Sequence, residues 1–284
     1  MRSFYYLLQL LFAGLAAAQC KPYAVANVTA QCNTYAVANV TGGFRTRQFV
    51  DFSTAQAGQS ASTLLSNNGF SISDWPVTDT PPAISHTFVP GNVALTNGAL
   101  SLKVNAYSGS GNVIGAEFST NDEFTYVSVR TVQKSSSVPG VCEGNFFYKD
   151  QVAEIDFEIL TSTIFQSSLA CVPPGIWATT HPFKEGVESK SEQFPFPFDP
   201  RADFHEYRVD WTPGIVRYYL DKNYVGQITQ NVPTVSGSWL WNAWSNGDPC
   251  WSAGPPTQDS TTLIRSIEIY KDYTDTRTGT VCNV

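Results

Sequence analysis

The sequence predicts an all-β protein, and three observations support this class. Short runs rich in Val, Ile, Phe, Tyr and Thr follow one another from Gly42 onward, separated by turn clusters. No window of helical period extends beyond about two turns. No Pro/Ser-rich linker divides residues 42–284, so we expect one domain there. Strands at this spacing, without intervening helices, indicate a sandwich or barrel of antiparallel sheets.

The N-terminus is typical of a secretory signal peptide. Arg2 precedes an apolar run that ends in small residues, with Ala16 and Ala18 in the A-x-A pattern, so residues 1–18 are predicted to be removed before Gln19. The run is shorter than the about 20 apolar residues that span a bilayer. The C-terminal TGTVCNV lacks the hydrophobic tail of a GPI signal. We therefore expect a secreted, extracellular protein without a membrane anchor, with the cell wall as one such extracellular location.

The cysteines agree with export. The chain has 6 cysteines, an even number whose spacings match no zinc pattern, so disulfides are expected. Closeness in sequence favours Cys142 with Cys171. Position near the C-terminal region favours Cys250 with Cys282.

A short repeat follows the signal peptide. AQCKPYAVANVT (18–29) is followed at once by AQCNTYAVANVT (30–41), and each copy carries an N-x-T sequon, at Asn27 and Asn39. Both are predicted glycosylation sites on exposed segments of an exported protein. Two copies cannot form a solenoid, so residues 19–41 are interpreted as an extension without a catalytic role.

Two hairpins and the charge complete the outline. Asn97-Gly98 separates two apolar runs, and a polar Asp-Lys-Asn turn at 221–223 separates two more. The formal net charge of −7 argues against nucleic acid or an anionic membrane surface as a partner.

The segment AEIDFEIL (153–160) carries the functional signal. Alternation with period two places Glu154, Asp156 and Glu158 on one face of a strand. A solvated face would normally mix in Lys, Thr or Ser, and a calcium site usually needs a turning loop. Three crowded carboxyls cannot all ionise at low cost, so at least one stays protonated. Retaining glycosidases require a protonated acid beside an ionised one, and the pattern favours this chemistry.

The same segment resembles the E-x-D-x-E signature of glycoside hydrolase family 16. Other segments resemble the family too, and they occur along the chain in the same order as in the family. VPGVCEGNFFYKDQV precedes the acids, and DFHEYRVDWTPGIVRYYLDKNYVGQI, WLWNAWSNGDPCWSAGPP and IRSIEIYKDY come after them. Together they span about residues 42–275. The resemblance implies a β-jelly-roll sandwich of two antiparallel sheets, the concanavalin A-like fold of lectins and glucanases.

The resemblance also implies residue roles. Glu154 would be the nucleophile, Glu158 the general acid and base, and Asp156 would tune both. Six further residues match positions that bind sugar: Glu117, Phe146, Tyr148, Asn242, Trp244 and Trp251. Trp211 and Trp239 are expected to pack in the core, and His205 to make a structural hydrogen bond. His86 and His181 have no evident role.

Function and partners follow as expectations. EIDFE has no inserted residue between the last two acids, the regular-strand form that resembles lichenases and transglycosylases more than typical laminarinases. We expect a monomeric, endo-acting, retaining β-glucanase acting on β-1,3/1,4-glucan. A cell-wall β-glucan transglycosylase is the alternative, and a non-catalytic lectin of the same fold is a third possibility. No cofactor and no catalytic metal are expected, although family members can carry a structural calcium ion.

Overall fold

A computed structural model describes residues 31–150, 153–166, 171–182 and 186–284. The compact unit runs from Cys32 to Val284. Its start therefore precedes residue 42, where the catalytic domain was predicted to begin. The predicted signal peptide and Asn27 lie outside the described residues. Within the described ranges, no helix is both long enough and apolar enough to cross a bilayer.

The described residues are almost entirely strand and turn. The strands are β1 (Thr34–Ala36), β2 (Gly43–Asp51), β3 (Phe70–Ile72), β4 (Pro76–Val77), β5 (His86–Phe88), β6 (Val93–Thr96), β7 (Ala99–Val104), β8 (Val113–Thr120), β9 (Val127–Lys134), β10 (Cys142–Asp150), β11 (Ala153–Leu160), β12 (Ile176–His181), β13 (Lys190–Phe194), β14 (His205–Thr212), β15 (Ile215–Leu220), β16 (Asn223–Ile228), β17 (Ser238–Trp244), β18 (Ser260–Thr274) and β19 (Val281–Asn283). One helix, α1 (Ala61–Asn67), begins after Ser60, whose Oγ accepts a hydrogen bond from the Thr63 amide. A 3₁₀ turn covers Pro90–Asn92.

Two curled sheets form a jelly roll. The first, which we call the cleft sheet, has the order β13-β12-β11-β10-β17-β8-β5-β4, with β3 also on β8. The second, the outer sheet, has the order β16-β15-β14-β9-β18-β2-β1-β19, with β7 on β18 and β6 on β7. The prediction of a β-jelly-roll sandwich is confirmed.

The core lies where the inner faces of the two sheets meet. On β11, Ile155, Phe157 and Ile159 are at most 2% exposed and belong to one large apolar cluster. Trp211 and Trp239, predicted to be core residues, are fully buried in the same cluster. Burying a side chain of this kind contributes about 1.5–3 kcal/mol, so the apolar face of β11 fixes which way its polar face must point.

The predicted turns form as expected. β6 and β7 pair directly on either side of Asn97-Gly98, where Gly98 has φ 83°. β15 and β16 are joined by Asp221 and Lys222, with φ 46° and 67°, the left-handed geometry of a two-residue hairpin turn. Asn223 already belongs to the next strand. The imidazole of His205 contacts the Asp221 carboxylate at 2.7 Å, in agreement with its predicted structural role.

The disulfide pairs differ from the expected ones. Cys32 is bonded to Cys282, and Cys171 to Cys250, while Cys142 is a free, buried thiol. Both predicted pairs were therefore wrong. Sequence proximity fails here because sheet topology, rather than separation along the chain, decides which cysteines meet.

The second copy of the repeat is part of the fold. β1 pairs with β2 and, in parallel, with β19, where Tyr35 lies opposite Cys282. Asn39, a predicted glycosylation site, follows in an exposed turn with φ 58°. The Cys32–Cys282 bond therefore lies beside the β1–β19 pair.

Removing the Cys32–Cys282 bond should destabilise the domain. In the variant Cys32→Ser/Cys282→Ser we expect the free energy of unfolding to fall by about 2–4 kcal/mol, because the unfolded chain gains conformational freedom. Urea unfolding of the variant and the wild type under non-reducing conditions measures this difference. Equal unfolding midpoints would contradict the assigned bond.

Candidate active site

The acidic row lies on the cleft sheet, at the centre of β11. Residues 154–159 pair with β12 in continuous register, so no bulge interrupts the strand. The three acids point away from the core because the intervening residues fill it. Asp156 is only 4% exposed, and the two glutamates beside it in the row, Glu154 and Glu158, are partly buried. The row is therefore a set of carboxyls largely withdrawn from water.

A glycine on β10 leaves space for the neighbouring polar network. Gly144 lies opposite both Glu158 on β11 and Asn242 on β17. A Cβ at this position would collide with the Asn242 side chain. Instead, the Gly144 amide donates to Asn242 Oδ1 at 3.1 Å, and Asn242 Nδ2 donates to Glu117 Oε2 at 3.2 Å. Ser73 Oγ donates to the other Glu117 oxygen at 2.7 Å.

Two cavities meet at the acidic row. The first, the aromatic cavity, has about 390 Å³ and is lined mainly by aromatic and apolar side chains together with the acids. The second, the polar cavity, has about 400 Å³ and is lined by hydroxyl-bearing residues, His181 and two tryptophans, again with the acids. Glu154, Asp156, Glu158 and Trp244 line both. The arrangement is a groove that continues on both sides of the carboxyls.

All six residues predicted to bind sugar border this groove. Five line the aromatic cavity and Trp251 lines the polar one; the five are Glu117, Phe146, Tyr148, Asn242 and Trp244. Phe146 is only 8% exposed, so it offers little free surface. An aromatic residue that the sequence analysis did not identify, Trp75, lines the same cavity and is 47% exposed.

His181 contacts the acidic row directly, although no role was predicted for it. It lies opposite Glu154 on β12, and its Nε2 is 3.2 Å from Asp156 Oδ2. The other ring nitrogen, Nδ1, is 2.8 Å from Ser189 Oγ. The alternation Trp177, Thr179, His181 along β12 is the signal that could have placed this histidine on the cleft face.

His86 supports the far wall of the aromatic cavity. Its ring stacks on Trp244 with centroids 5.0 Å apart, and its Nδ1 is 3.1 Å from Asp79 Oδ2. Asn246 Nδ2 donates to the other Asp79 oxygen at 3.2 Å. Burial lowers the pKa of His86, although Asp79 opposes this shift. The stack fixes the orientation of Trp244 at the junction of the two cavities.

Glu158 is held by two uncharged donors. The Cys142 thiol donates to Glu158 Oε1 with an Sγ–Oε1 distance of 3.0 Å. The Trp251 side chain also hydrogen-bonds to the Glu158 carboxyl. Trp251 packs on Trp177 with ring centroids 5.5 Å apart, which closes one wall of the polar cavity.

Burial and mutual repulsion keep protons on the acidic row. Burial raises the pKa of Glu154 to about 10, and the like charges of Asp156 and Glu158 add to this effect. Burial and the Glu158 charge raise the pKa of Asp156 well above its usual range. Burial also raises the pKa of Glu158, whereas Cys142, His181 and Trp251 oppose that shift. The row therefore retains protons at neutral pH, as proton donation requires.

One group of side chains has the spacing of a metal site within the described ranges. Donor atoms of Glu154, Asp156 and His181 lie within 4.8 Å of one another. The direct contact between His181 and Asp156 accounts for this grouping without an ion. We therefore assign no metal to it.

Together, the fold and the groove define a class: a jelly-roll protein with a carboxyl-lined cleft. The profile of the glycosyl hydrolases family 16 matches residues 82–252, more than half of the chain. The chain belongs to this family.

The chain is also similar to individual proteins whose names are known. A β-glucanase of Acetivibrio thermocellus is 26% identical over 161 residues, covering 55% of this chain and 45% of that protein. A probable xyloglucan endotransglucosylase/hydrolase of Arabidopsis thaliana is 28% identical over 187 residues, covering 58% and 56%. The match thus spans about half the length of each of these relatives. The crystal structure of a prokaryotic β-1,3-1,4-glucanase from a mouse hindgut metagenome shares the fold with a TM-score of 0.62 and 20% identity, covering 80% of this chain and all of that one.

Glu117 should make the protein less stable as the pH rises. Burial raises its pKa from 4.5 to about 7, so between these values the folded state holds a proton that the unfolded state has released. Stability therefore falls with increasing pH across this window. In Glu117→Gln the fall should be smaller by about 3 kcal/mol, the free-energy equivalent of the shift. Urea unfolding at pH 4.5, 6 and 8 measures it, and parallel curves for the variant and the wild type would contradict it.

Proposed function

We propose that the chain is a secreted, endo-acting, retaining β-glucanase that cleaves β-1,3/1,4-glucan through a covalent glycosyl-enzyme. The observation that carries this proposal is the row of three buried carboxyls at the junction of two cavities. A row of buried like charges reduces stability and has a clear use in acid–base and nucleophilic chemistry. The regular strand supports the lichenase-like form over the bulged one.

The three acids would divide the reaction between them. Glu154 and Asp156 are hydrogen-bonded, and this bond favours the proton on Glu154 and the ionised form of Asp156. Nucleophilic attack therefore requires that proton to pass to Asp156, which leaves Glu154 ionised. Ionised Glu154 attacks the anomeric carbon, the glycosidic C–O bond breaks, and the leaving oxygen takes the proton of Glu158. Water then attacks the same carbon, returns a proton to Glu158 and releases Glu154.

The groove favours an endo-acting enzyme with a polymeric substrate. Because cavities extend from both sides of the acids, sugars of one chain can occupy positions before and after the cleaved bond. Aromatic rings such as Trp75 and Trp244 suit the apolar faces of sugar rings. Glu117 is protonated at acid pH and could then donate a hydrogen bond to a sugar hydroxyl. The carboxyls complete this chemistry, so the proposal includes no cofactor and no calcium requirement.

Two features support secretion as part of the proposal. The N-terminal sequence is typical of a signal peptide, and the described residues contain two disulfides, which persist in oxidising compartments. We further propose that the enzyme acts as a monomer.

Transglycosylation is the second candidate, favoured by the similarity to a probable xyloglucan endotransglucosylase/hydrolase. Both reactions pass through the same covalent intermediate and differ only in whether water or a sugar hydroxyl accepts the glycosyl group. A lectin function is disfavoured, since a binder gains nothing from three buried carboxyls whose repulsion costs stability.

Azide rescue should separate the roles of Glu154 and Glu158. Both Glu154→Ala and Glu158→Ala should lose nearly all turnover of barley glucan. With an aryl β-glycoside that has a good leaving group, azide should rescue Glu158→Ala and give a β-glycosyl azide, because the nucleophile and the intermediate remain. Glu154→Ala should give an α-glycosyl azide, because azide then attacks the anomeric carbon directly. NMR of the products distinguishes the two anomers.

Glu192→Gln provides the matched control. Glu192 lies on β13 of the same sheet, pairs with Lys190 and lines neither cavity. This variant should retain wild-type turnover. The role assignment is wrong if the azide products of the two alanine variants have the opposite configurations, or if Glu154→Ala remains fully active.

Product analysis should show hydrolysis. With defined mixed-linkage gluco-oligosaccharides we expect only products shorter than the starting sugar, since water enters an open groove freely. Mass spectrometry and chromatography of the mixture, with and without added acceptor oligosaccharide, measure the size distribution. Products longer than the starting sugar would instead identify a transglycosylase.

A further inference from the structure

We propose that Cys142 is a positioning residue for Glu158: its thiol hydrogen-bonds the acid/base carboxyl and thereby sets the pH at which that acid loses its proton. The inference rests on the proposed function, in which Glu158 is the general acid. Among the cysteines that the structure describes, Cys142 is the one that neither disulfide uses.

Strand register brings the thiol to Glu158. In a β-sheet the residue directly opposite is normally the main side-chain neighbour, and the diagonal residue is the next. The residue opposite Glu158 on β10 is Gly144, which has no side chain. The diagonal neighbour, Cys142, lies opposite Leu160 and can therefore extend toward Glu158, reaching Oε1 at 3.0 Å.

The surrounding side chains hold the Cys142 thiol in its contact with Glu158. Cys142 is fully buried in a small apolar cluster with Leu160 and Val172, against which Trp177, Trp244 and Trp251 pack. Burial and the charge of Glu158 raise the pKa of the thiol well above its ordinary value. The sulfur thus keeps its proton over the working pH range and can only donate to the carboxylate. Such a donor favours the ionised form of Glu158.

Three other groups that face Glu158 can carry charge: Asp156 and Glu154 on β11, and His181 on β12. Two further neighbours, Trp244 on β17 and Trp251 on the following loop, are uncharged. Removing the thiol alters one hydrogen bond and leaves all of these charges in place. A change in pH dependence can therefore be attributed to that bond.

The test compares Cys142→Ala and Cys142→Ser in the full chain. The alkaline limb of the kcat/KM profile on barley glucan reports deprotonation of the general acid. In Cys142→Ala this limb should move to higher pH by about half a unit or more, because the ionised carboxylate loses a donor. KM should change little and kcat should decrease, since the misplaced acid affects the chemical step. Cys142→Ser, which keeps a donor, should restore the wild-type limb.

Val172→Ala provides the packing control. It removes bulk from the same apolar cluster without touching Glu158. We expect it to lower the melting temperature and leave the alkaline limb in place. If Cys142→Ala behaves like Val172→Ala, the thiol is only a packing residue and the inference is overturned. It is also overturned if the serine variant fails to restore the limb while remaining folded.

Failure of the proposed function would look different. In that case the wild type itself would not turn over β-glucans, and the role of Cys142 would fall with it. An active wild type whose alkaline limb is insensitive to Cys142 would refute the positioning role alone.

Discussion

The structure depends on one constraint: β11 must bury three carboxyls on one face while it completes the hydrophobic core with the other. The apolar face belongs to a cluster shared by both sheets, so the strand cannot turn over. Its acids are therefore held in the groove regardless of their repulsion. The neighbouring strands place polar groups beside the acids and so offset part of this repulsion. β12 brings His181 to Asp156, and β10 brings a thiol to Glu158.

Sheet geometry also determines what the groove can hold. Gly144 leaves the space that Asn242 occupies, and Asn242 in turn holds Glu117. His86 fixes Trp244 from behind. The lining residues are thus held by contacts of their own, so little order has to be gained when a ligand binds. Preorganisation of this kind is expected of a site that must hold reacting groups in a fixed geometry.

Part of this could be predicted from the sequence. The alternation at 153–160 identified the acids because period two is a property of the strand itself. The residues predicted to bind sugar came from the resemblance to a family. His181 and Cys142 were missed since their roles arise from register between strands, and a single strand pattern does not contain that register. The predicted disulfide pairs were wrong for a related reason. Cys32 and Cys282 are 250 residues apart in sequence and meet only because β1 and β19 pair.

That last pairing has a mechanical consequence. The two ends of the compact unit leave the outer sheet side by side, joined by a covalent bond. Tension applied through those ends would be carried by the sulfur–sulfur link and would not reach the hydrogen bonds of β2 and β18. The cleft sheet is thereby insulated from tension at the two ends of the compact unit.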